Sequence, residues 1–594
     1  MILQALYEYY QRKVADPESR IAPRGFEWKE IPFIIVIDEN GYFVNLEDTR
    51  SGEGKFKVPA SFLVVKSKGR TGAKAYQTAN VLWDHFGYVL AYPKEKDEKK
   101  SDEQLVEDAN RQHRTFVSSV IELTSKFPEN KQFKAVADFL ENTEQKQRIF
   151  DHECWNDCKK IPGCNFSFRL AGETKIVAEN DDLIKTISIE SLSENDVKDT
   201  ERETAKGVCL VTGDYGPIAV LHTATSIPGG KSGAKLVGFQ KNSGYDSYYK
   251  EQGLNAPVSE IAEDAYTTAL NVLLSRESTN KFRLSDLTVV FWADKASEFE
   301  KSVAFFFTAP SKDDPDRNAR EVKALVDSIH TGRFNSEGET DFYILGLYPN
   351  AARISIRFWK TGKIKNFAEK LALHFADLEI VHGKNDEREF FSLFNLLSNI
   401  AFEYKVDNVA PNLAGKMIEC IMDGSPYPAT LQQQCIRRIR AEQIVNRVRA
   451  AILKAFLNRK NRIYNINEKP ITMALDLENT NQGYLCGRLF AVLEKIQEEA
   501  QPGINSTIKD RFYGAASSTP VTVFGRLLGL SNHHLAKLNP GRKTNFEKMV
   551  QEVMAGINSN GMPSHLSLDD QSRFAIGYYH QRQELFTKKD TINL

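Results

Sequence analysis

The chain has 594 residues, of which 41% are hydrophobic and 26% are charged, and its formal net charge is −1. This composition is typical of a globular protein of about two to four domains, and it excludes fibrous and largely disordered classes. A net charge so close to zero provides no overall basic field, so any bound nucleic acid would have to contact local basic patches.

The first part of the chain is rich in predicted strands. The segment 1–17 has the pattern of a short amphipathic helix. Four stretches of β-branched and aromatic residues follow, separated by Gly, Asn and Lys turns, at 32–38, 41–48, 61–66 and 87–92. These patterns predict a β-rich N-terminal region.

Helical and strand patterns alternate in the middle of the chain. In chain order they predict a solvated charged run at 93–110, a helix over 108–126, strands near 164–170 and 208–222, a helix over 257–275, buried strands at 287–294 and 303–309, and a hairpin over 341–359 that turns at Pro349-Asn350. This mixture predicts a central α+β region.

From Ile364 to the end, almost every segment has helical spacing and is broken by Gly or Pro. We therefore expect an α+β fold, with a β-rich N-terminal half of mixed strands and helices followed by a C-terminal α-helical bundle. The expected regions are 1–190, 191–363 and 364–594.

No targeting or membrane-spanning segment is evident. The longest apolar runs, such as 31–37, are far shorter than the ~20 residues that cross a bilayer, and the N-terminal helix lacks the pattern of a signal peptide. We expect a cytoplasmic protein that does not contact a membrane. Its seven cysteines should then be reduced.

Three of the cysteines lie close together in the sequence, beside a histidine. Together His152, Cys154, Cys158 and Cys164 would supply four zinc ligands, but they lack the paired C-x₂-C spacing of well-attested sites. Ordinary part-buried thiols are the alternative, and the sequence leaves both open. We expect no other cofactor.

The segment "SIPGGKSGAKLVGFQ" contains the Gly230-Lys231-Ser232 ending of a nucleotide-binding P-loop. That loop also requires a glycine where this chain has Thr225, and a helix after the serine, whereas 234–239 alternates as a strand does. A glycine turn, or a loop that approaches nucleic acid closely, explains the segment better than an ATP site.

The sequence contains no recognisable catalytic signature. Its histidines are scattered, and no Walker pair, Gly-x-Ser-x-Gly elbow or His-Glu-x-x-His pair occurs. We therefore favour a binding protein over an enzyme. A nucleic-acid-processing enzyme with an unrecognised active site is the alternative.

Two glycine-rich basic loops are candidate DNA-binding sites, and both are expected to contact phosphates with their cations. The first, which has no acidic residue, contains Lys66, Lys68, Arg70, Gly72 and Lys74, with Gln77 and Asn80 as candidate base readers. The second contains Gly229, Gly230, Lys231 and Lys235, with Lys241 as a candidate backbone contact. A solvated lysine loop is the alternative for each, and we prefer the first loop for duplex contact.

A third basic segment has helical spacing. Residues 435–462 carry nine basic residues and one acid, Glu442, and Arg440, Arg447 and Lys454 are spaced by seven. This spacing predicts one stripe along a helix that follows a phosphate backbone. The other candidates for backbone or displaced-strand contact are Arg437, Arg438 and Arg449.

Several long blocks resemble a known family. They include "LVGFQKNSGYDSYYKEQGLNAPVSEIAEDAYTTALNVLL", "YILGLYPNAARISIRFW", "YLCGRLFAVLEKIQEEA" and "FYGAASSTPVTVFGRLLGLSNHHLAKL". The chain resembles the large subunit of the type I-C CRISPR Cascade complex, the Dvulg-subtype family of CRISPR-associated proteins. The resemblance runs from the first helix to the last residues.

The resemblance implies a non-catalytic subunit of an RNA-guided surveillance complex. Such a subunit recognises the protospacer-adjacent motif in double-stranded target DNA and supports unwinding and R-loop formation, while the crRNA reads the sequence by pairing. Its implied partners are the crRNA, the Cascade backbone subunits, the guide-processing subunit, the small subunit and a recruited helicase-nuclease. The family also implies that the small subunit is similar to the tail of the large subunit and arises by internal translation, and we hypothesise that Met473 is the internal start in this chain.

Overall fold

The computed structural model of the chain describes all residues except 17–18, 20, 53–56, 68–69, 71–74, 94–100, 193–204, 232, 241–245, 247, 285, 308–323, 326, 330, 333–336, 384–389 and 587–594. The chain divides into two compact units. The N-terminal unit comprises Tyr10–Ala219 and Ala256–Thr268, and the C-terminal unit comprises Met1–Tyr9, Val220–Asn255 and Ala269–Leu594.

The N-terminal unit is built on small sheets. Its strands are β1 (Phe26–Glu30), β2 (Phe33–Ile37), β3 (Phe43–Asp48), β4 (Ser61–Val65), β5 (Trp83–His85), β6 (Asn165–Leu170), β7 (Lys206–Val208) and β8 (Tyr215–Pro217). The main sheet has the order β3-β2-β6-β5, in which β2 and β6 are parallel and the outer pairs are antiparallel. Because β2 is the apolar run Phe-Ile-Ile-Val-Ile, it suits this central position.

Helices precede and follow the strands of this part of the chain. They are α1 (Ile2–Val14), which contributes residues to both units, α2 (Phe86–Leu90), α3 (Asp102–Lys126), α4 (Lys131–Glu141), α5 (Thr143–Phe150), α6 (Trp155–Lys159) and α7 (Asp181–Leu192). The strand predicted over 87–92 is wrong, because this stretch forms α2. The His85 ring accepts the Gly87 N–H at its start, and Ala91 ends it in a left-handed conformation, so both ends are capped locally.

The C-terminal unit contains one antiparallel sheet, of order β12-β11-β10-β9. Its strands are β9 (Lys281–Leu284), β10 (Leu287–Ala293), β11 (Asp341–Asn350) and β12 (Arg353–Lys363), with α9 (Glu298–Phe307) between β10 and β11. The helix α8 (Glu260–Leu274) precedes these strands and contributes residues to both units, because Ala256–Thr268 belong to the N-terminal unit. The strand predicted over 303–309 is wrong, because 303–307 belong to α9. Phe299, Val303 and Phe306 are buried at helical spacing, a period that a short apolar run does not reveal.

The rest of the C-terminal unit is helical, as predicted from Ile364 onward. The helices are α10 (Ile364–Leu378), α11 (Leu393–Ile400), α12 (Leu413–Asp423), α13 (Ala429–Glu442), α14 (Arg447–Ile463), α15 (Gln482–Ala500), α16 (Ile508–Ala516), α17 (Phe524–Leu535), α18 (Pro540–Ala555) and α19 (Leu568–Phe586). The expected α+β fold, with a β-rich beginning and a helical bundle at the end, is therefore confirmed. The division into three regions stays a prediction.

The bundle is organised around the tight pair α15 and α19. A Cβ added to Gly487 would lie 2.0 Å from the Phe574 carbonyl oxygen, and one added to Gly577 would lie 2.3 Å from that of Tyr484. Only glycine permits this approach of two helix backbones. Within the described residues, every helix is too short or too polar to cross a membrane.

Candidate nucleic-acid interface

The first basic loop, residues 66–80, is anchored at its first cation within the N-terminal unit. The Lys66 ammonium lies 2.5 Å from an Asp264 carboxylate oxygen on α8, and the Lys66 backbone N–H donates to the Gly25 carbonyl. Because a carboxylate of the chain already neutralises Lys66, this side chain would have to leave its partner before contacting a phosphate.

Arg70 is held even more firmly. Two guanidinium nitrogens donate to the two Asp84 oxygens, one of them over 2.9 Å, and the guanidinium carbon lies 4.1 Å from the centre of the Tyr88 ring. The Asp84 side chain is only 2% exposed. Such a bidentate pair stacked on an aromatic ring fixes the loop against β5 and α2.

The remaining predicted residues of this loop have different positions. Gln77 is exposed in a single helical turn, whereas Asn80 is buried and its backbone N–H donates to Asp84. Lys68, Gly72 and Lys74 lie outside the described residues. The role of the loop in base reading therefore stays a prediction, and both of its described cations are already paired.

The second basic loop folds back on itself. The Thr225 N–H donates to the Ala234 carbonyl oxygen over 2.7 Å, and an added Cβ at Gly230 would lie 2.7 Å from Cγ2 of Ile227. Residues 233–240, directly after the Gly230-Lys231 turn, form no helix, so the geometry of a P-loop is not formed. The strand-like run predicted over 234–239 is reduced to a single β-bridge between Lys235 and Arg353.

This second loop is attached to the tip of the β11–β12 hairpin. Backbone N–H groups of Lys231 and Lys235 donate to the carbonyls of Ala351 and Ala352, each over 3.3 Å, and the Ile354 N–H donates to the Lys235 carbonyl over 3.0 Å. Lys231 is exposed and Lys235 is half-buried, and neither forms an ion pair with a described residue. The loop therefore places beside the hairpin two ammonium groups that no described carboxylate neutralises. Lys241 lies outside the described residues.

The hairpin itself extends past the rest of its sheet. Pairing of β10 with β11 ends at Thr288 and Leu347, while β11 and β12 pair onward to Asn350 and Arg353. The turn between them is Ala351-Ala352, not the predicted Pro349-Asn350, and Ala351 has φ 52°. Proline and asparagine are strong turn formers, but here the alanines are the two residues left unpaired. The four residues 350–353 are exposed.

A β-bulge lies just behind the tip. Gly346 opposes Phe358 and Leu347 opposes Ile356, so Arg357 is the extra residue on β12. A bulge changes the direction of such a side chain, and the Arg357 guanidinium lies 4.2 Å from the centre of the Tyr348 ring. We call Lys231, Lys235, Asn350, Arg353 and Arg357 the hairpin-tip cluster.

The basic helical segment does not form one stripe. It is two helices, α13 and α14, separated at Gln443, whose φ is 50°. Arg447 and Lys454 are only 8% and 5% exposed. The Lys454 ammonium donates to the Asp377 carbonyl over 2.9 Å, and burial lowers its pKa. The predicted exposed stripe is therefore wrong, because two of its three members lie in the core.

Arg449 is also an internal residue, with no exposed surface. Its guanidinium donates to the carbonyls of Asn399 and Ile444 over 2.8 and 3.0 Å, and to the Glu442 carboxylate over 2.5 Å. These bonds join the end of α13 to the start of α14. The prediction of a nucleic-acid contact at Arg449 is corrected to a structural role, because a wholly buried side chain cannot reach a ligand.

Two exposed cations of this segment lie on α13, and a third, Arg462 on α14, is paired with Asp377. Arg438 is half-buried, with Nε 3.5 Å from Glu442, whereas Arg437 and Arg440 are exposed. Arg440 has one long hydrogen bond, of 3.5 Å, to the Gly514 carbonyl of α16, and Arg437 forms no ion pair with a described residue. These two arginines keep their charge available for an external anion.

The cysteine cluster is a packed set of thiols. Cys158 and Cys164 are buried, and the hydrogen bond between their thiols, together with burial, raises the pKa of Cys158. His152 instead contacts the Asn45 side chain and the backbone N–H of Cys154. No group of three His, Cys, Asp or Glu side chains within the described residues is arranged to hold a metal ion.

Sequence reasoning missed Arg353, Arg357 and Tyr348. The hairpin was predicted, and its two-residue turn could have drawn attention to the residues beside it. The bulge, however, depends on the register in which β11 and β12 pair, and the sequence does not reveal that register. At the bulge the Phe358 ring packs against position 346, where only glycine leaves room for it. An added Cβ there would lie 2.5 Å from that ring.

Comparison with known proteins agrees with the resemblance found in the sequence. The family model described as CRISPR-associated protein (Cas_Csd1) matches residues 6–586, nearly the whole chain. No curated protein matches it. The match spans both basic loops, the hairpin and the helical bundle. The chain therefore belongs to the CRISPR-associated Cas_Csd1 family, the large subunits of type I-C Cascade.

Proposed function

We propose that this Cascade protein recognises a protospacer-adjacent motif in duplex DNA, and that the hairpin-tip cluster makes the contact. The observation that carries the proposal is the attachment of the Gly230-Lys231 loop to the exposed Ala351-Ala352 turn by three backbone hydrogen bonds. The narrow ribbon and the ammonium groups of Lys231 and Lys235, which pair with no described carboxylate, thereby form one element. Guide pairing by the crRNA would then read the adjoining sequence.

The shape and chemistry of the tip suit a DNA groove. Two-stranded β-ribbons are known to enter grooves, and two alanines at the turn keep the leading end small. Asn350, exposed beside the turn, offers an amide that can donate to and accept from base edges. Lys231, Lys235 and Arg357 would bind the flanking phosphates, which fixes the register of the ribbon.

The loop at 66–80 is a second proposed contact. Its described cations, Lys66 and Arg70, are held by Asp264 and Asp84. These pairs would position the loop, while exposed Gln77 would be available to a base edge. We therefore assign the first duplex contact to the hairpin tip rather than to this loop.

A different surface would hold the displaced strand. Arg437 and Arg440 of α13 are exposed, and Arg440 reaches the carbonyl of Gly514 in α16. The segment 511–546 that begins there contains no acidic residue, and its Arg511 and Arg526 are exposed. Arg542 of this segment is paired with Glu499, but the exposed Arg511 and Arg526 suit contact with a phosphate backbone.

We further propose that the protein is non-catalytic and that a recruited helicase-nuclease cleaves the DNA. The partners of the assembly would be the crRNA, the backbone subunits, the guide-processing subunit and the small subunit. Nuclease and ATPase assays of the purified chain with and without Mg²⁺ test this proposal. Strand cleavage or ATP turnover that copurifies with the chain would favour the alternative of an unrecognised active site.

The salt dependence of DNA binding tests the hairpin tip. Lys231→Ala/Lys235→Ala should reduce the slope of log K against log salt by about 2, since each phosphate contact contributes about 0.9. The matched control is Lys131→Ala/Lys134→Ala on α4, where both lysines are exposed and form no ion pair with a described residue. An unchanged slope in the first variant would refute the phosphate contact.

The specificity of binding tests Asn350. Asn350→Ala should weaken the preference for motif-bearing duplex over scrambled duplex by about 1–3 kcal/mol, the discrimination of one good base contact. The salt slope should not change, because no cation is removed. Equal loss of affinity for both duplexes would show that Asn350 does not read a base.

A further inference from the structure

Two adjacent tyrosines are the most exposed large hydrophobic residues in the described part of the chain. Tyr248 and Tyr249 are 93% and 109% exposed, whereas the next, the terminal Met1, is 72% exposed. Tyrosine rings normally bury much of their area, so complete exposure of two in sequence is unusual. Lys250 and Glu251, which follow them, are also exposed. The described residues that directly follow the pair are therefore charged and not apolar.

The backbone holds this pair in a strained conformation. Tyr248, Tyr249 and Gln252 have φ of 51°, 60° and 47°, in the region that side chains other than glycine seldom adopt. The segment is anchored on its far side, where the Gly253 N–H donates to the Val220 carbonyl over 3.3 Å and the Asn255 amide donates to the Lys250 carbonyl over 3.1 Å. Such strain persists where the surroundings fix it, and it concentrates at functional sites.

We propose that Tyr248 and Tyr249 form a stacking platform for unpaired nucleobases. This inference rests on the proposed function, and it extends that function from duplex to single-stranded nucleic acid. A planar nucleobase can stack its face on a single aromatic ring, and this contact does not require further apolar residues around the ring. A protein interface would instead need a contiguous apolar core, and the described residues that directly follow the pair, Lys250 and Glu251, are charged. The bases would come either from separated DNA or from the guide RNA.

Single-stranded binding by the full chain tests the platform. The probes are DNA and RNA oligonucleotides of one sequence, each with a central 2-aminopurine, and a blunt duplex. Tyr248→Ala/Tyr249→Ala should weaken single-strand binding about 5- to 150-fold for each base lost from the stack, and should remove the quenching of 2-aminopurine. The salt slope should stay constant, because no phosphate contact is lost. The strand with the larger loss identifies the source of the bases.

Two further variants keep the test specific. Tyr248→Phe/Tyr249→Phe keeps both rings and should bind like the wild type, and Tyr215→Ala, at another exposed tyrosine, is the matched control. Unchanged binding of both single strands by the double alanine variant would overturn the platform while leaving duplex recognition intact. Equal losses in the Phe and Ala variants would also overturn it. A wild-type chain that binds neither duplex nor single strand would reject the proposed function itself.

Discussion

Replacing Arg449 with alanine removes a wholly buried guanidinium from the junction of α13 and α14. The side chain makes three hydrogen bonds, two to the carbonyls of Asn399 and Ile444 and one to the Glu442 carboxylate. Removing one partner of a buried, hydrogen-bonded charge pair costs about 3–5 kcal/mol. We expect the free energy of unfolding of the C-terminal unit to fall by that amount.

Urea unfolding of the full chain measures the loss, combined with hydrogen exchange of peptides from 429–463. The exchange data are needed because a chain of two units does not unfold in a single step. Arg437→Ala is the matched control, since Arg437 is exposed on the neighbouring helix and its loss should change stability by less than about 0.5 kcal/mol.

The opposite pattern of effects would refute the reasoning. If Arg449→Ala left stability unchanged but reduced the salt dependence of DNA binding, its guanidinium would be contacting phosphate. If Arg437→Ala were as destabilising as Arg449→Ala, burial would not be the quantity that separates the two arginines.

Three more predictions follow from single sites. Gly346→Ala should destabilise the β11–β12 hairpin by about 1–3 kcal/mol, because the new methyl group would overlap the Phe358 ring; a thermal melt that matches the wild type would contradict this. Burial lowers the pKa of His113 to about 4, below its ordinary value of about 6.5. As the pH falls through this range, the imidazole is protonated in the unfolded chain before it is protonated in the folded one. The contribution of His113 should therefore lower the free energy of unfolding by up to about 3 kcal/mol between pH 6.5 and pH 4. His113→Gln should flatten that pH dependence in denaturant titrations, and an unchanged profile would exclude His113 as its source. Replacing the Met473 codon by a non-start codon should remove a short copurifying product that spans 473–594, and persistence of that band would reject the internal start.

Much of the fold was predictable from the sequence, because the spacing of apolar residues distinguishes a helix from a strand in long segments. The helices from Ile364 onward and the β11–β12 hairpin have many apolar residues at helical or alternating spacing. The wrong predictions, at 87–92 and 303–309, are short apolar runs. At that length a buried helix and a buried strand have the same composition, and caps such as His85 decide between them.

The candidate site was predictable only in part. The Gly230-Lys231 loop was identified from the sequence, because a short run of glycines and lysines without acidic residues can be recognised without knowing the fold. It missed Arg357 and Tyr348, because their contact depends on a bulge in the strand register. It also placed Lys454 on the surface, since periodicity alone does not say which face of a helix the rest of the fold covers.

Local charge is a poor guide to a nucleic-acid site because carboxylates from distant positions cancel it. The acid-free loop at 66–80 is neutralised at Lys66 by Asp264 and at Arg70 by Asp84. By contrast, Lys231 and Lys235 lie in a part of the chain with similar local composition, yet they pair with no described carboxylate. A phosphate binds best to cations that have no carboxylate partner within the protein, because displacing a bonded carboxylate costs part of the free energy of binding. Among the described cations of the two loops, this difference in pairing favours the hairpin tip as the proposed first duplex contact.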